Sequence, residues 1–371
     1  MPQQNNPLRV LNASGQSIWY DNIHRSMLTS RELARLLAED DLRGITSNPS
    51  IFDKAISGGH DYDEALRRLL HANPSQSSRD LFYALASEDI GIAADLLLPV
   101  YVATDGVDGM VSLEVSPDLA HDTEATIREA RELHAHLHRP NVMIKVPATR
   151  AGLPAIEQLI ADGININVTL LFSVDRYLDV ADAYLRGLER RFANDQPVQR
   201  ITSVASFFVS RVDSALDPVL AEKAPGLQGK IAIANAKLAY QRFKELYTAP
   251  RFQALKAAGA RPQRLLWAST STKNPAFRDV LYVEGLIGPE TVNTIPPATY
   301  AAFREHGLVA PTLEKNWDTA LAQLASLPDL EIDLTAVTDR LEEEGVTAFA
   351  QSFHNLLANI EAKAIDLAAT A

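Results

Sequence analysis

The 371-residue chain contains no cysteine. Disulfides, thiolate zinc sites, iron–sulfur clusters and cysteine nucleophiles are thereby excluded. Positive charge is also scarce: 47 acidic residues stand against 35 lysines and arginines, a formal net charge of −12. Nucleic acid and anionic membranes both need a basic face, so neither is expected as a partner. A small phosphorylated ligand needs only a local basic pocket and stays open. No apolar run approaches the roughly 20 residues that span a bilayer, and the longest, GIAADLLLPVYVA at 91–103, is broken by Asp95. The opening MPQQNNPLRV shows no basic region followed by an apolar stretch, so the expectation is a cytoplasmic protein. Neither GxGxxG nor GxxxxGKS/T occurs, which counts against an open doubly wound sheet with a phosphate turn after its first strand.

Hydrophobic residues make up 46% of the chain and charged residues 22%, the balance of an ordinary globular protein rather than a disordered one. No linker or low-complexity tract divides it. Short strand-like runs recur instead, at 17–23, 42–48, 110–116, 141–147, 166–173, 201–210, 264–269 and 291–296. Helical signals separate them. TSRE at 29–32 fits a capping box, and Pro154 with Gly163 brackets another helix in the usual asymmetry. Strands alternating with helices imply parallel βα units. The reading is therefore a single α/β domain over 1–371, a (β/α)8 TIM barrel. Additional helices are expected at 60–103 and in a C-terminal extension, about 312–370, packed on the barrel.

Strand side chains alternate faces with a period of two. In MVSLEVS, Ser112, Glu114 and Ser116 oppose Val111, Leu113 and Val115. In NVMIKVP, Met143, Lys145 and Pro147 oppose Val142, Ile144 and Val146. Around INVTLLFS, Asn165, Asn167, Thr169 and Leu171 oppose Ile166, Val168 and Leu170; in LRGITSN, Gly44, Thr46 and Asn48 share a face. Helices cover the outside of a parallel barrel, so the polar face points inward, and most of its residues fall late in their strands, at the mouth where barrel sites are built. A lone lysine in a strand is usually an edge gatekeeper; a closed barrel has no edge, which weakens that reading.

An amine inside a barrel suits Schiff-base catalysis, in which a neutral lysine attacks a ketone. Only roughly one exposed lysine in two thousand is neutral at pH 7, and burial favours the neutral form. Glu114, one strand before Lys145, and Thr169, one strand after, are placed to relay protons through a water. Asp21, at the end of the first run, is a base for a substrate hydroxyl.

TSNPSIF, SLEVSP, IKVPAT, GININVTLLFS and SVASFFVSRVD, in this order and spacing, resemble the transaldolases, from about residue 10 to about 365. The resemblance implies a class I aldolase barrel without cofactor or metal. It implies transfer of a dihydroxyacetone unit from sedoheptulose 7-phosphate or fructose 6-phosphate to an aldose phosphate, by a monomer or homodimer. The Schiff base falls on Lys145, the hydroxyl base on Asp21 and the relay on Glu114 and Thr169. Asn48, Asn167 and Ser206 fall on the groups that hold the dihydroxyacetone hydroxyls. Arg211 and Ser269 fall on phosphate positions. Many relatives have an arginine two residues after that serine; here the run is Ser269-Thr270-Ser271-Thr272-Lys273. Either Lys273 supplies the cation, as a point charge rather than a fork, or Ser271 substitutes a neutral donor. Phe208, on the inward face where related fructose-6-phosphate aldolases carry tyrosine, leans toward transfer.

Three rivals share some of these residues. An aldolase that releases free dihydroxyacetone shares the fold and the lysine. A hydrolase using Asp21 and Glu114 as a carboxylate pair leaves Lys145 unexplained, and an inert binding barrel has no need of lysine, aspartate and glutamate together. His134, His136 and His138 suggest a metal cluster, but no further ligand completes one, and histidines at a helix end suit the dipole. EDD at 39–41 and LEEEG at 341–345 read as solvated helix ends.

Overall fold

The computed structural model describes residues 6–369; residues 1–5 and 370–371, the extremes of the expected domain and of its C-terminal extension, lie outside. All eight expected strands form: β1 Gln16–Asp21, β2 Gly44–Thr46, β3 Met110–Glu114, β4 Val142–Pro147, β5 Ile166–Leu171, β6 Ser203–Phe208, β7 Arg264–Ala268 and β8 Thr291–Ile295. Each pairs in parallel with the next, and β8 closes on β1. This is the closed (β/α)8 barrel that the strand–helix alternation predicts. The outward residues Val142, Ile144 and Val146 of β4 are fully buried against helices. No helix among the described residues is long and apolar enough to cross a membrane.

The expected surplus is helical. Between β2 and β3 stand Pro49–Ser57, Asp63–Ala72 and the long Ser78–Ala103; after β8 come Pro297–His306, Trp317–Ala325 and Leu334–Ala369. A capping box does occur, on Ser77 and Asp80 at the start of Ser78–Ala103. TSRE does not form one. Thr29 closes a short helix, Arg25–Thr29, and the next, Glu32–Asp40, is capped by no side chain of Arg31. Thr29 is itself helical, and the extended residue between the two helices is Ser30, whose hydroxyl accepts from Glu32 N at 3.2 Å.

The 39–41 and 341–345 segments also differ from expectation. Asp40 is fully buried and accepts from Tyr300 Oη at 3.1 Å and Arg304 Nε at 2.9 Å. The 341–345 run lies within Leu334–Ala369 rather than at its end, and Glu342 there pairs with Arg176 Nε at 3.1 Å. Strand β5 departs from simple alternation too. Its pairing with β6 shifts between Val168 and Leu171, and Leu170 adopts φ +60°, a left-handed conformation rare for a branched side chain. Leu170 therefore does not continue the outer face of Ile166 and Val168; it packs toward Gly345 of the terminal helix.

The barrel floor is closed by a polar knot. Arg264 donates to Ser17 Oγ (2.8 Å) and Asp108 Oδ1 (2.8 Å), and Ser17 donates to Asp108 Oδ2 (2.7 Å). Above it lies Trp19, fully buried and level with Gly44 in the β1–β2 register. A Cβ at Gly44 would stand 2.6 Å from the Trp19 ring, so the absent side chain is what admits the indole. Gly44→Ala is expected to lower unfolding free energy by about 1–3 kcal/mol, the typical cost of overpacking, measured by urea denaturation; an unchanged midpoint would show that the indole has room to move.

Candidate active site

The β3–β4–β5 register sets the centre. Glu114 is level with Lys145, and Lys145 with Asn167, so their side chains emerge on the same inner face. Lys145 Nζ lies 3.3 Å from Glu114 Oε2 and donates to the Ser47 carbonyl at 2.9 Å. Both charged side chains are more than nine-tenths buried. A buried ion loses several kcal/mol of hydration; a counter-charge and a carbonyl within reach offset that loss here. Thr169 Oγ1, on the next strand, is buried with no hydrogen-bond partner in the protein.

Asp21 ends β1 and accepts from Thr46 Oγ1 at 2.7 Å. Thr294 completes the chain by approaching Thr46 Oγ1 at 2.6 Å; because the Thr46 proton points to Asp21, Thr294 is the donor there. Burial raises the Asp21 carboxyl above its ordinary range, with Thr46 and the Lys145 charge pulling the other way. Burial likewise raises Glu114; Lys145 opposes the rise and the Asp21 charge adds to it. The two carboxyls and the amine thus form one electrostatic group.

A cavity of about 710 Å³ opens above this group at the C-terminal ends of the strands. Asp21, Asn48, Lys145, Thr169, Ser206, Arg211, Ser269 and Lys273 all line it; Glu114 and Asn167 sit behind the wall. Asn48 is the N-cap of Pro49–Ser57, its carbonyl accepting from Ile51 N at 3.0 Å. That contact occupies the oxygen and leaves the amide NH2 as the free end. Asn167 is clasped from both sides, donating to Ser112 Oγ (3.0 Å) and accepting from Ser206 Oγ (2.7 Å).

Arg211 follows β6, with its guanidinium 5.5 Å from the Phe208 ring centre. Burial lowers its pKa and Glu344 partly opposes this; among the described residues no carboxylate lies within ion-pair distance of Arg211. Ser269, just past β7, holds φ +55° and shares a 3.0 Å hydroxyl contact with Ser210. Such strain in a non-glycine residue costs on the order of 1–3 kcal/mol and collects at functional sites. Lys273 is exposed and donates to Ser271 Oγ at 2.7 Å, so the two alternatives for the second phosphate contact stand together on the cavity rim. The sequence reading missed the Thr46–Thr294 pair, the Ser47 carbonyl, His24 at the rim and Phe349. Thr46 was legible as an inward residue but not as the partner of Asp21. Phe349 carried no local signal, being on a helix far along the chain. Among the described residues, no three His, Cys, Asp or Glu side chains are placed to hold a metal ion.

Fold and cavity together define a (β/α)8 barrel whose mouth presents a buried amine between carboxyls and an unpaired guanidinium. Residues 18–360 match the family model described as transaldolase/fructose-6-phosphate aldolase. The chain is 47% identical to Transaldolase 2 of Nostoc punctiforme over 373 aligned residues, covering 96% of this chain and 97% of the relative. It is 49% identical to the transaldolase of Parafrankia sp. (95% and 97% covered) and 49% to that of Thiobacillus denitrificans (93% and 97%). The chain belongs to the transaldolase/fructose-6-phosphate aldolase family.

Two residues after Arg211, Asp213 anchors the helix Ser210–Lys223 to its neighbour, accepting from Ala232 N at 2.8 Å and Tyr282 Oη at 3.0 Å. Burial, aided by Asp217, pushes its carboxyl from 3.8 to about 7 despite these donors. A raised carboxyl favours the fold while protonated, so its contribution is complete below about pH 4 and lost as pH rises through about 7. Relative to Asp213→Asn, the wild-type chain is expected to lose on the order of 4 kcal/mol of stability from acid to mildly alkaline pH, read by denaturation across that range. A pH-independent difference between the two proteins would contradict the assignment.

Proposed function

We propose that the chain is a transaldolase. It moves a dihydroxyacetone unit from sedoheptulose 7-phosphate or fructose 6-phosphate to glyceraldehyde 3-phosphate or erythrose 4-phosphate, in the non-oxidative pentose phosphate pathway. The observation that carries this reading is the buried Lys145 amine beside Glu114, at the base of a cavity that also holds Asp21 and an unpaired Arg211. The nearly full-length likeness to transaldolases supports it.

In the proposed reaction the Lys145 amine attacks the C2 carbonyl and the carbinolamine loses water to an iminium. Glu114 and Thr169 supply and collect the protons of that exchange through a water. Asp21 removes the C4 hydroxyl proton, the C3–C4 bond breaks, and the electron pair flows through C2 to the iminium nitrogen. The aldehyde leaves and an enamine stays on Lys145. A carboxylate raised by burial is a stronger base than an exposed one, so Asp21 can hold the proton until the acceptor's new alkoxide takes it back. The free amide of Asn48 and the Ser206 hydroxyl hold the dihydroxyacetone hydroxyls, with Asn167 steadying Ser206. Arg211, Ser269 and Lys273 receive the phosphate. We place the enzyme in the cytoplasm, where its charged substrates are retained.

Fructose 6-phosphate with erythrose 4-phosphate is expected to yield sedoheptulose 7-phosphate and glyceraldehyde 3-phosphate in equal amounts with ping-pong kinetics. Rapid release of free dihydroxyacetone without acceptor would favour the aldolase instead. Arg211→Leu is expected to raise KM for fructose 6-phosphate by about 10–100-fold, from the roughly 1.5–3 kcal/mol carried by a charge-assisted hydrogen bond. Unphosphorylated fructose should be turned over equally by both proteins; a matching loss with fructose would remove Arg211 from the phosphate site.

A further inference from the structure

The terminal helix Leu334–Ala369 reaches the active site through a stripe of residues spaced by four. Gly345 lies over the strained end of β5, where a Cβ would stand 3.0 Å from Leu170 Cδ2. One turn on, Phe349 is buried and forms part of the wall of the 710 Å³ cavity that holds Lys145, Phe208 and Arg211. One turn further, Phe353 packs edge-on against Phe82 with ring centres 5.6 Å apart. Phe353 also borders a gap of about 10 Å³ shared with Glu114 and Tyr83, on the far side of the catalytic wall. Residues four apart share a helix face, so a single face closes the cavity and covers the back of Glu114.

The helix is tied down along its length. Glu342 binds Arg176 at 3.1 Å, Ser352 meets Ser50 at 2.9 Å, His354 meets Asp118 at 2.9 Å, and Lys363 meets Asp63 at 2.8 Å. These partners stand in the segments that follow β2, β3 and β5, so the helix that carries Phe349 is tied to several barrel strands in turn.

The enamine left on Lys145 has two fates. An acceptor aldehyde can form the new C3–C bond, or the dihydroxyacetone can be lost. Loss takes two steps: a proton adds to C3, giving the iminium, and water then attacks C2. The water oxygen becomes the ketone oxygen, the C2–N bond breaks, and the iminium proton with the two water protons leaves Lys145 as the ammonium. Both fates end in hydrolysis of an iminium at C2, because the seven-carbon product also leaves Lys145 by attack of water; what distinguishes loss is the water-borne proton added at C3, where transfer forms the new C–C bond. A phenyl ring in the wall removes sites at which water would be held by hydrogen bonds.

We infer that Phe349 sets the ratio of transfer to release by keeping proton-bearing water from C3 of the enamine on Lys145; this rests on the transaldolase reading above. Phe349 is then a specificity-determining residue supplied by the C-terminal helix. The test measures dihydroxyacetone released per sedoheptulose 7-phosphate formed, from fructose 6-phosphate and erythrose 4-phosphate. Phe349→Ala is expected to raise that ratio about tenfold, equivalent to a 1.4 kcal/mol change in relative barriers, and Phe349→Leu to raise it less. Should Phe349→Ala fail to fold, by its thermal unfolding profile, Phe349→Leu carries the test. Leu356→Ala removes a fully buried side chain from the same helix away from the cavity and is expected to leave the ratio at the wild-type value. A folded Phe349 variant with an unchanged ratio overturns the inference, as does an equal rise in Leu356→Ala, which would assign the effect to the helix as a whole. A wild-type protein that forms no sedoheptulose 7-phosphate at all overturns the transaldolase reading instead.

Discussion

The contact on which the structure turns is the 3.3 Å pairing of Lys145 with Glu114 inside a closed barrel. A lysine in the middle of a strand survives burial only with its charge answered locally. Here the answer comes from neighbouring strands: the Glu114 carboxylate from β3, and the Ser47 carbonyl just past β2. Parallel register makes this possible, because it brings Glu114, Lys145 and Asn167 to one level on one face. Closure matters equally. In an open sheet the same lysine would reach solvent at an edge and need no partner.

The rest of the interior is arranged around that pair. Below it, the Arg264–Asp108–Ser17 knot and the Trp19 ring close the floor, and the ring fits because Gly44 has no side chain. Around it, burial raises both Asp21 and Glu114, and the Lys145 charge restrains each. One amine therefore governs two carboxyls with different duties in the proposed reaction. Above it opens the cavity, where Arg211 and Lys273 bring positive charge to a chain that is negative as a whole. The net charge of −12 describes the surface, and the site inverts it locally.

Much of this was legible in the sequence, and the reasons differ from residue to residue. The eight strands and the inward face carrying Glu114, Lys145, Asn167 and Thr169 follow from a period of two, which is a local property. Leu170 breaks that period because a register shift between β5 and β6 turns its backbone left-handed; alternation has no term for a bulge. Asp40 looks like a solvated end in its own neighbourhood. It is buried because Tyr300 and Arg304, some 260 residues later, fold over it. The same long-range logic hides Phe349. Nothing near it in sequence distinguishes it from a core aromatic, and only the path of the terminal helix across the mouth brings it to the substrate cavity. Gly345 belongs to the run that looks like a solvated helix end, and its close approach to Leu170 appears only in the fold.

The central claim is that the Lys145 amine forms a covalent bond to the substrate ketone. Incubation with fructose 6-phosphate followed by borohydride reduction would convert an iminium to a stable secondary amine, and peptide mass mapping would locate it. A single reduced dihydroxyacetone adduct on the peptide containing Lys145 is expected. An adduct on any other lysine, or none under conditions of turnover, would contradict it.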